Sequence, residues 1–453
     1  MRWLVCTLSV LTMCATVSPA SARQPQASPP ASVNQMPTVT KVPTAALPSP
    51  TFDATTATNA YMAQIPAAAT ARSDAYFEGG YWIVGWTFLY GVAVALLLLF
   101  FRWSAAFRSL AERITRPRPL QTGLYWFQYL AATTLLSAPF VFYTDYVREH
   151  QYGMATQSLG PWLGDQGKGF LLGLVLGGIV AMVLFGLVRR LARTWWIWGA
   201  LVTMVFLIVT VMIGPVYLQP IFNKVTRLDD PKVTGPILSL ARANGIPARD
   251  VWEIDASRQT TRMSANVSGL GNTLRITLND NLLRRGSQEE IQAVMAHEMG
   301  HYVLNHVPKM LMFFLIVVVV AFAWLRWSLT WCLARWGARW QIRGVGDTAV
   351  LPLVVLLVSV YGFLLTPLMN TFIRSQECEA DMYGLNAARQ PDGFAQAAIH
   401  LGEYRKMHPG AIEEWIFFDH PSGYNRIFAA MRWKKENLQL FAGPASQKGP
   451  AGN

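Results

Sequence analysis

Hydrophobic residues are concentrated in six long stretches, at 80–101, 125–144, 169–188, 195–218, 310–332 and 349–369. Most of them are close to the roughly 20 residues that a helix needs to cross a hydrocarbon core about 30 Å thick. Their interiors are almost free of charge, and a helix of a soluble protein rarely stays apolar on all sides over this length. The pattern predicts a membrane domain of about six helical spans, four over 76–218 and two over 307–370.

Two polar portions separate or follow these stretches. The first, 219–306, predicts a helix at 231–244 and strands at 251–254, 262–270 and 274–278, the last two joined as a hairpin. Ser287 and Glu290 have the spacing of a capping box and predict the start of another helix. The second portion, 371–442, predicts further amphipathic helices, and we expect 443–453 to be a disordered tail. The fold class is therefore mainly α, with a small β-sheet outside the membrane.

The amino-terminal region differs from both. Residues 1–22 contain Arg2, an apolar core and an Ala20-Ser21-Ala22 cleavage site, which predicts a signal peptide, or alternatively an uncleaved anchor helix. Residues 23–75 are rich in Pro, Ala, Thr, Ser and Gln and show no apolar period. Such a segment buries too little apolar surface to offset its ordering entropy, so we expect a disordered tether.

Composition supports a membrane protein. Of the 453 residues only 14% are charged, against about 25% in soluble domains. The net charge of +12 could indicate nucleic-acid binding, but the excess arginines lie at the ends of apolar stretches, as the positive-inside rule requires. We therefore expect a lipid bilayer as partner and no nucleic acid. Four cysteines are too few for a disulfide scaffold.

The predicted capped helix carries the motif His297-Glu298-Met299-Gly300-His301. Residues four apart on a helix lie about 40° apart, so both imidazoles can bind one metal ion. Glu298 is rotated by about 100° from His297 and can reach a metal-bound water without ligating the metal. Zinc suits neutral imidazole and lowers the pKa of its water to about 7, so we expect one Zn²⁺ and Glu298 as base. On a continuous helix His306 lies about 140° from His301, which predicts a polar contact away from the metal.

A catalytic zinc needs a third protein ligand. The extended motif H-E-x-x-H-x-x-G-x-x-H is absent, because Leu304 and Val307 occupy its last two fixed positions. The other option is a carboxylate on a separate helix. Glu377 and Asp381 are four residues apart; Glu377 can ligate, while Asp381 can accept a hydrogen bond from a ligating imidazole.

These two motifs together resemble the CAAX prenyl protease 1 family of integral-membrane zinc endopeptidases, of the gluzincin type. Segments 146–153, 264–270, 279–283 and 420–427 also resemble the family, so that the resemblance covers about 80–440. It implies helices around a water-filled chamber, with zinc held inside. The resemblance also implies residue roles: His297, His301 and Glu377 as zinc ligands, Glu298 as base, Asp381 supporting a ligand, His420 stabilising the tetrahedral intermediate, Arg426 as a nearby partner, and substrate pairing at Ser264, Ala265 and Asn266.

The resemblance has departures. Ser264 and Asn266 flank Ala265 where the family has Asn-Ala followed by an aromatic residue, so we expect different substrate contacts. The family's first span is also either replaced by the signal segment or missing, and prenylated substrates are therefore not implied. The expected function is a membrane zinc endopeptidase acting on a peptide or protein, in peptide processing or membrane-protein quality control.

Two other functions fit parts of the sequence. A transporter or scaffold with a structural metal would suit six spans, but the spans carry few of the central ionisable residues usual in transport pathways. An intramembrane-cutting metalloprotease also uses HExxH, but within a span and with an aspartate ligand in another. Here the motif precedes the fifth stretch, and the only Asp-Gly pair, Asp392-Gly393, lies in a polar region.

Arginines also predict orientation. They are concentrated after the first, third and fifth stretches, and short basic connections face the cytoplasm. Alternation then places 219–306 and 371–453 on the exported face of a bacterial-type inner membrane. The family resemblance points instead to a cytoplasmic site, which stays the alternative.

Overall fold

The computed structural model of the chain describes residues 41–269 and 274–441. The predicted signal segment, the first part of the tether and the polar tail from 443 lie outside these residues. Within them the helices are α1 (Ala54–Met62), α2 (Ala67–Phe100), α3 (Trp103–Ile114), α4 (Arg118–Val141), a short helix (Arg148–Gln151), α5 (Leu159–Arg190), α6 (Trp195–Ile213), α7 (Pro231–Ala243), α8 (Asp280–Arg285), α9 (Gln288–Val303), α10 (His306–Trp336), α11 (Leu351–Ala388), α12 (Pro391–Leu401), α13 (Ala411–Phe417) and α14 (Gly423–Glu436).

Five helical segments among the described residues are long and apolar enough to cross a membrane: Ala67–Phe100, Leu159–Arg190, Trp195–Ile221, His306–Trp336 and Thr348–Ala388. Only 6% of the most apolar window is buried in the third and fourth of them, so most of their hydrophobic surface faces outward. The predicted span at 125–144 is also helical, as α4, but is not among these five.

The long helices connect two polar ends of the molecule. At one end, Glu149 accepts hydrogen bonds from Tyr76 of α2 and from Arg262, next to the sheet. At the other end, Arg102 after α2 donates to the carbonyl of Arg339, after α10. The predicted aqueous portions therefore lie together at one end, and the arginine-rich connections lie at the other.

A four-stranded sheet forms most of the first aqueous portion, in the order β1 (Val225–Arg227), β2 (Val251–Ile254), β4 (Arg275–Asn279), β3 (Ala265–Ser268). The β2–β4 pair is parallel and the other two pairs are antiparallel. Ile276 and Leu278 of β4 are fully buried against α7 and α9. The central strand thus anchors the sheet to the motif helix, and β3 remains an edge strand.

The prediction of a disordered tether over 23–75 is wrong over its described part. Residues 41–66 form a short 3₁₀ turn and α1, and α2 already begins at Ala67. Phe52 and Tyr61 are buried in one core with α12 and α14. Tyr61 donates to Asp392, and Lys434 of α14 donates to the carbonyl of Ala46. Burial against distant helices therefore orders a segment whose own composition indicates disorder.

Candidate metal centre

The site is built where α9 crosses α11. α9 begins with the predicted capping box: the backbone N–H of Glu290 donates to Oγ of Ser287, and the N–H of Ser287 donates to Glu290. Glycines allow the two helices to approach closely. A Cβ on Gly384 would lie 2.9 Å from the backbone nitrogen of His297, and one on Gly300 would lie 3.2 Å from Cα of Ala380. This close approach brings the motif histidines to the carboxylates of α11.

Three ligand atoms converge at the crossing. Nε2 of His301 lies 3.2 Å from Nε2 of His297 and 3.6 Å from Oε1 of Glu377. Nε2 of His297 lies 3.2 Å from Oε2 of Glu377. Ligands about 2.0–2.2 Å from a tetrahedral zinc lie about 3.3–3.6 Å from one another. The donor set, two imidazoles and a carboxylate, and its spacing therefore fit a zinc ion.

The carboxylate supplies a second sign of fit. Oε2 of Glu377 is buried and accepts no hydrogen bond from the described residues, although two imidazole nitrogens lie 3.2 Å and 3.3 Å away. A buried carboxylate oxygen without a donor is costly unless a cation neutralises it. Among the described residues His297, His301 and Glu377 form the one group with metal-ligand geometry.

Asp381 and Arg426 support His297 from behind. Nδ1 of His297 lies 2.7 Å from Oδ1 of Asp381, on the side of the ring away from the metal position. Arg426 of α14 donates from both Nε and Nη2 to Asp381, at 3.0 Å and 2.6 Å. Arg426 is buried, and its bidentate pairing uses the fork geometry that suits a carboxylate. Arg426 therefore holds the carboxylate that orients the ring of His297.

His306 contacts the imidazole of His301. The sequence did not predict this contact. The helix ends at Val303 and Asn305 adopts a left-handed conformation with φ of 57°, so α10 starts in a new direction at His306. Nδ1 of His306 lies 2.8 Å from Nδ1 of His301, and its Nε2 lies 3.2 Å from Glu379. The polar contact expected of His306 is thus made to a metal-ligand candidate.

Glu298 and His420 face the same cavity, which also contains Ser264, Ala265 and Arg426 in its wall. Its volume is about 150 Å³. Nε2 of His420 lies 3.3 Å from Glu377, and its Nδ1 lies 2.7 Å from Asp419. The contact with Asp419 orients the imidazole, and its one signal in the sequence is that the two residues are adjacent.

Electrostatics differ among the three motif residues. Burial raises the pKa of Glu298 to about 7, with partial opposition from His297, and a carboxylate of this kind can exchange protons near neutrality. Burial alone lowers the pKa of His297, but Asp381 and Glu377 outweigh it and raise that pKa to about 10. Burial lowers the pKa of His301 to about 4. The carboxylates thus create a site that attracts a cation at His297.

The edge strand β3 presents backbone groups beside the cavity. The N–H of Asn279 donates to the carbonyl of Ser264, so Ser264 and, by antiparallel alternation, Asn266 direct their backbone groups towards β4. Ala265 then directs its N–H and C=O away from the sheet. Of the three predicted substrate residues, Ser264 and Ala265 contribute to the cavity wall, and Asn266 lies one position further along the edge.

Comparisons with known proteins agree with this geometry. Residues 227–434 match the sequence model of peptidase family M48, and residues 53–224 match that of the family described as CAAX prenyl protease N-terminal, five membrane helices. The second match extends over α1 to α6, and the first contains β2 to β4, both motifs and all but the last two residues of α14. The two regions meet at β1.

Individual relatives extend the similarity. The chain is 32% identical over 324 residues to the uncharacterized metalloprotease YhfN of Bacillus subtilis, covering 71% of this chain and 75% of that protein. It is 34% identical over 183 residues to CAAX prenyl protease 1 of Saccharomyces cerevisiae, which covers 40% of either chain. The crystal structure of S. mikatae Ste24p aligns with a TM-score of 0.68 and 22% identity, over 80% of this chain and 88% of that one. The fold predicted from the sequence, membrane helices around a chamber with a small sheet in the metalloprotease portion, is confirmed.

Proposed function

We propose that this chain, which belongs to the CAAX prenyl protease 1-like family of membrane metalloproteases, is an endopeptidase that uses one zinc ion. The observation that carries the proposal is the convergence of His297, His301 and Glu377 beside a cavity that contains Glu298. A bound zinc would supply Lewis acidity, which polarises a carbonyl and acidifies water. Since the motif helix α9 is not one of the five candidate spans, cleavage within the bilayer is disfavoured. Membership in a peptidase family argues against a transporter or a scaffold.

The residues around the ligands would position the reacting groups. Asp381, held by Arg426, orients the ring of His297 so that Nε2 points to the metal position. Glu298 would accept a proton from water and later donate it to the leaving amine, a role that its pKa near 7 suits. His420, with Asp419 behind it, would donate to the oxyanion of the tetrahedral intermediate.

The substrate would bind as an added strand. Ala265 directs one backbone donor and one acceptor to the free edge of β3, next to Glu298 and His420. A peptide paired there would align its backbone with the sheet and bring one carbonyl towards the ligands. Backbone pairing does not depend on side chains, so the proposal names unstructured peptide segments as the substrate class. Peptide processing and membrane-protein quality control both supply such segments.

The proposed location of the site is the exported face of a bacterial-type inner membrane. The arginine-rich connections lie at the opposite end of the helices, and short basic connections face the cytoplasm. Residues 41–66 pack against α12 and α14, so the amino-terminal segment and the site share one side. A periplasm-dependent reporter fused after Gly443 should be active, while a cytoplasm-dependent reporter there should be silent. The reverse pattern would place the site in the cytoplasm.

The function is tested with Glu298→Gln. The variant should retain one zinc per chain but lose cleavage of an unstructured peptide by a factor of about 10² to 10⁴, as expected for loss of a general base. Glu289→Gln, an exposed glutamate on the same helix, is the matched control and should behave as wild type. Near-normal turnover by Glu298→Gln would refute the assigned base, and wild-type protein without stoichiometric zinc would refute the metal.

A further inference from the structure

A second polar cavity lies at the end of the molecule opposite the metal centre. Its volume is about 350 Å³, and its walls come from α3, the start of α4, the end of α5 and the connection 343–348. Helix α11 starts at Leu351 beside this connection and reaches Glu377 about 26 residues later, which is about 39 Å along the helix axis. The cavity therefore cannot form part of the peptidase site.

The cavity has an excess of positive charge. Four arginines and two carboxylates line it: Arg108, Arg118, Arg189, Arg343, Glu112 and Asp347. Arg343 pairs with both oxygens of Glu112, at 2.7 Å and 3.1 Å, and Arg108 pairs with Asp347 at 2.6 Å. No carboxylate of the described residues pairs with Arg118 or Arg189. The two unpaired guanidiniums leave a surplus of two positive charges.

Several guanidinium groups are fixed in place and still have donors to offer. Arg189 is held by hydrogen bonds from Nε to the carbonyl of Gly346 and from Nη1 to Thr122. Arg108 is only 7% exposed, and its Nη1 donates to Asp347 and to the carbonyl of Gln341. Arg118 and Arg189 have no carboxylate partner among the described residues, so their remaining donors favour an oxyanion in the cavity. Fixed guanidiniums in a group match the oxygens of a phosphate.

The surroundings of the cavity are those of a membrane interface. Helix α3, which forms one wall, is amphipathic, and its exposed face carries Leu110 and Ile114, the latter 63% exposed. Leu120, at the start of α4, is exposed as well. An amphipathic helix with exposed apolar side chains lies in the interface between headgroups and acyl chains. A phosphate in the cavity would thus be at headgroup level, with apolar surface beside it for acyl chains.

We propose that this cavity binds the phosphate group of an anionic phospholipid. The shared chemistry is a phosphate ester, and the exposed apolar residues favour the lipid over a free phosphate. The site would bind one lipid specifically, because fixed arginines in a cavity discriminate more sharply than a diffuse basic surface. It is separate from the proposed peptidase activity and does not depend on it.

The test uses the full chain purified in a neutral detergent, with native mass spectrometry of bound lipid. Wild type should retain one phosphatidylglycerol and should not retain phosphatidylcholine. Arg118→Gln removes one unpaired, exposed charge and should reduce phosphatidylglycerol retention by about fivefold or more. Arg190→Gln, an exposed arginine of α5 outside the cavity, is the matched control and should retain the lipid as wild type does. An unfolding temperature of Arg118→Gln equal to that of Arg190→Gln in the same detergent would verify its fold.

Three results would overturn the proposal. The first is equal retention of phosphatidylglycerol by Arg118→Gln and Arg190→Gln. This result would show that an arginine of the cavity contributes no more than an arginine elsewhere on the surface. The second is retention of phosphatidylcholine at the level of phosphatidylglycerol. A competition arm separates the sources: displacement of the lipid by millimolar inorganic phosphate would overturn the lipid assignment in favour of free phosphate, and persistence of the lipid would support it.

Discussion

The close packing of α9 against α11 should be disrupted by a single added methyl group, in Gly384→Ala. The new Cβ would lie 2.9 Å from the backbone nitrogen and 3.1 Å from Cα of His297, where ordinary contacts begin at 3.4 Å. Both neighbours are backbone atoms that cannot rotate away. The helices must therefore separate locally by about 0.5 Å, which is more than the roughly 0.2 Å of variation that metal–ligand distances tolerate.

The magnitude follows from two opposing terms. Overpacking of this kind costs about 1–3 kcal/mol, while replacing glycine by alanine inside a helix recovers about 0.5–1 kcal/mol. A net strain of about 1–2 kcal/mol expressed at the metal centre corresponds to a zinc affinity about 5- to 30-fold weaker. Peptide cleavage should fall with zinc occupancy.

The assay is zinc competition with a chromophoric chelator, together with thermal unfolding in detergent. Gly186→Ala is the matched control, because a Cβ on this glycine of α5 meets open space. It should keep zinc affinity unchanged. If Gly384→Ala binds zinc as tightly as Gly186→Ala and unfolds at the same temperature, the close packing of α9 against α11 does not control zinc affinity.

Three further predictions concern other contacts. His306→Ala should weaken zinc binding about 10- to 100-fold, because His301 loses the group that orients its ring; unchanged affinity in the same competition assay would exclude this role. Ala265→Pro removes an outward N–H while leaving the hydrogen bonds between β3 and β4 intact, so kcat/KM for an unstructured peptide should fall about two- to tenfold at constant zinc content. Ala265→Gly keeps this N–H donor and should retain the wild-type kcat/KM. Phe52→Ala should destabilise the fold by about 3–5 kcal/mol in denaturant unfolding, against a small effect of Leu47→Ala at a half-exposed site; equal effects would contradict the docking of the amino-terminal segment.

The placement of the candidate metal ligands on two helix faces could be predicted from the sequence because it depends on local spacing. His297 and His301 share a face of one helix, and Glu377 and Asp381 share a face of another, as four-residue spacing requires. What spacing could not supply is the distance between the helices. That distance depends on Gly384 meeting His297, a contact between residues 87 positions apart.

His306 shows the opposite case, because its direction depends on a break that local spacing does not reveal. The predicted direction assumes a continuous helix, but Leu304 and Asn305 interrupt the helix and turn His306 back towards His301. Only the positive φ of Asn305 reveals the break, and asparagine is one of the few residues that adopt it readily. The sequence contains this asparagine, but a single Asn between two apolar-rich helices is weak evidence for a helix break.

The amino-terminal segment shows the limit of composition. Residues 41–66 show no apolar period and have few aromatic residues, but Phe52 and Tyr61 are buried by helices more than 300 positions away. Likewise β1 has three residues, too few for an alternating pattern to be visible. In both places the residues that stabilise the element are distant in sequence, so the local sequence pattern cannot predict the element.

The hydrogen bond from Lys434 to the carbonyl of Ala46 joins residues 388 positions apart. Ribosomes deliver the chain from its amino terminus, so the segment around Ala46 emerges hundreds of residues before its docking surface exists. Its apolar groups therefore stay exposed to chaperones and to non-native contacts until α14 has been synthesised. Contacts of such long range form late and slowly. Docking of the segment around Ala46 against α14 is therefore one of the last steps in the folding of the chain.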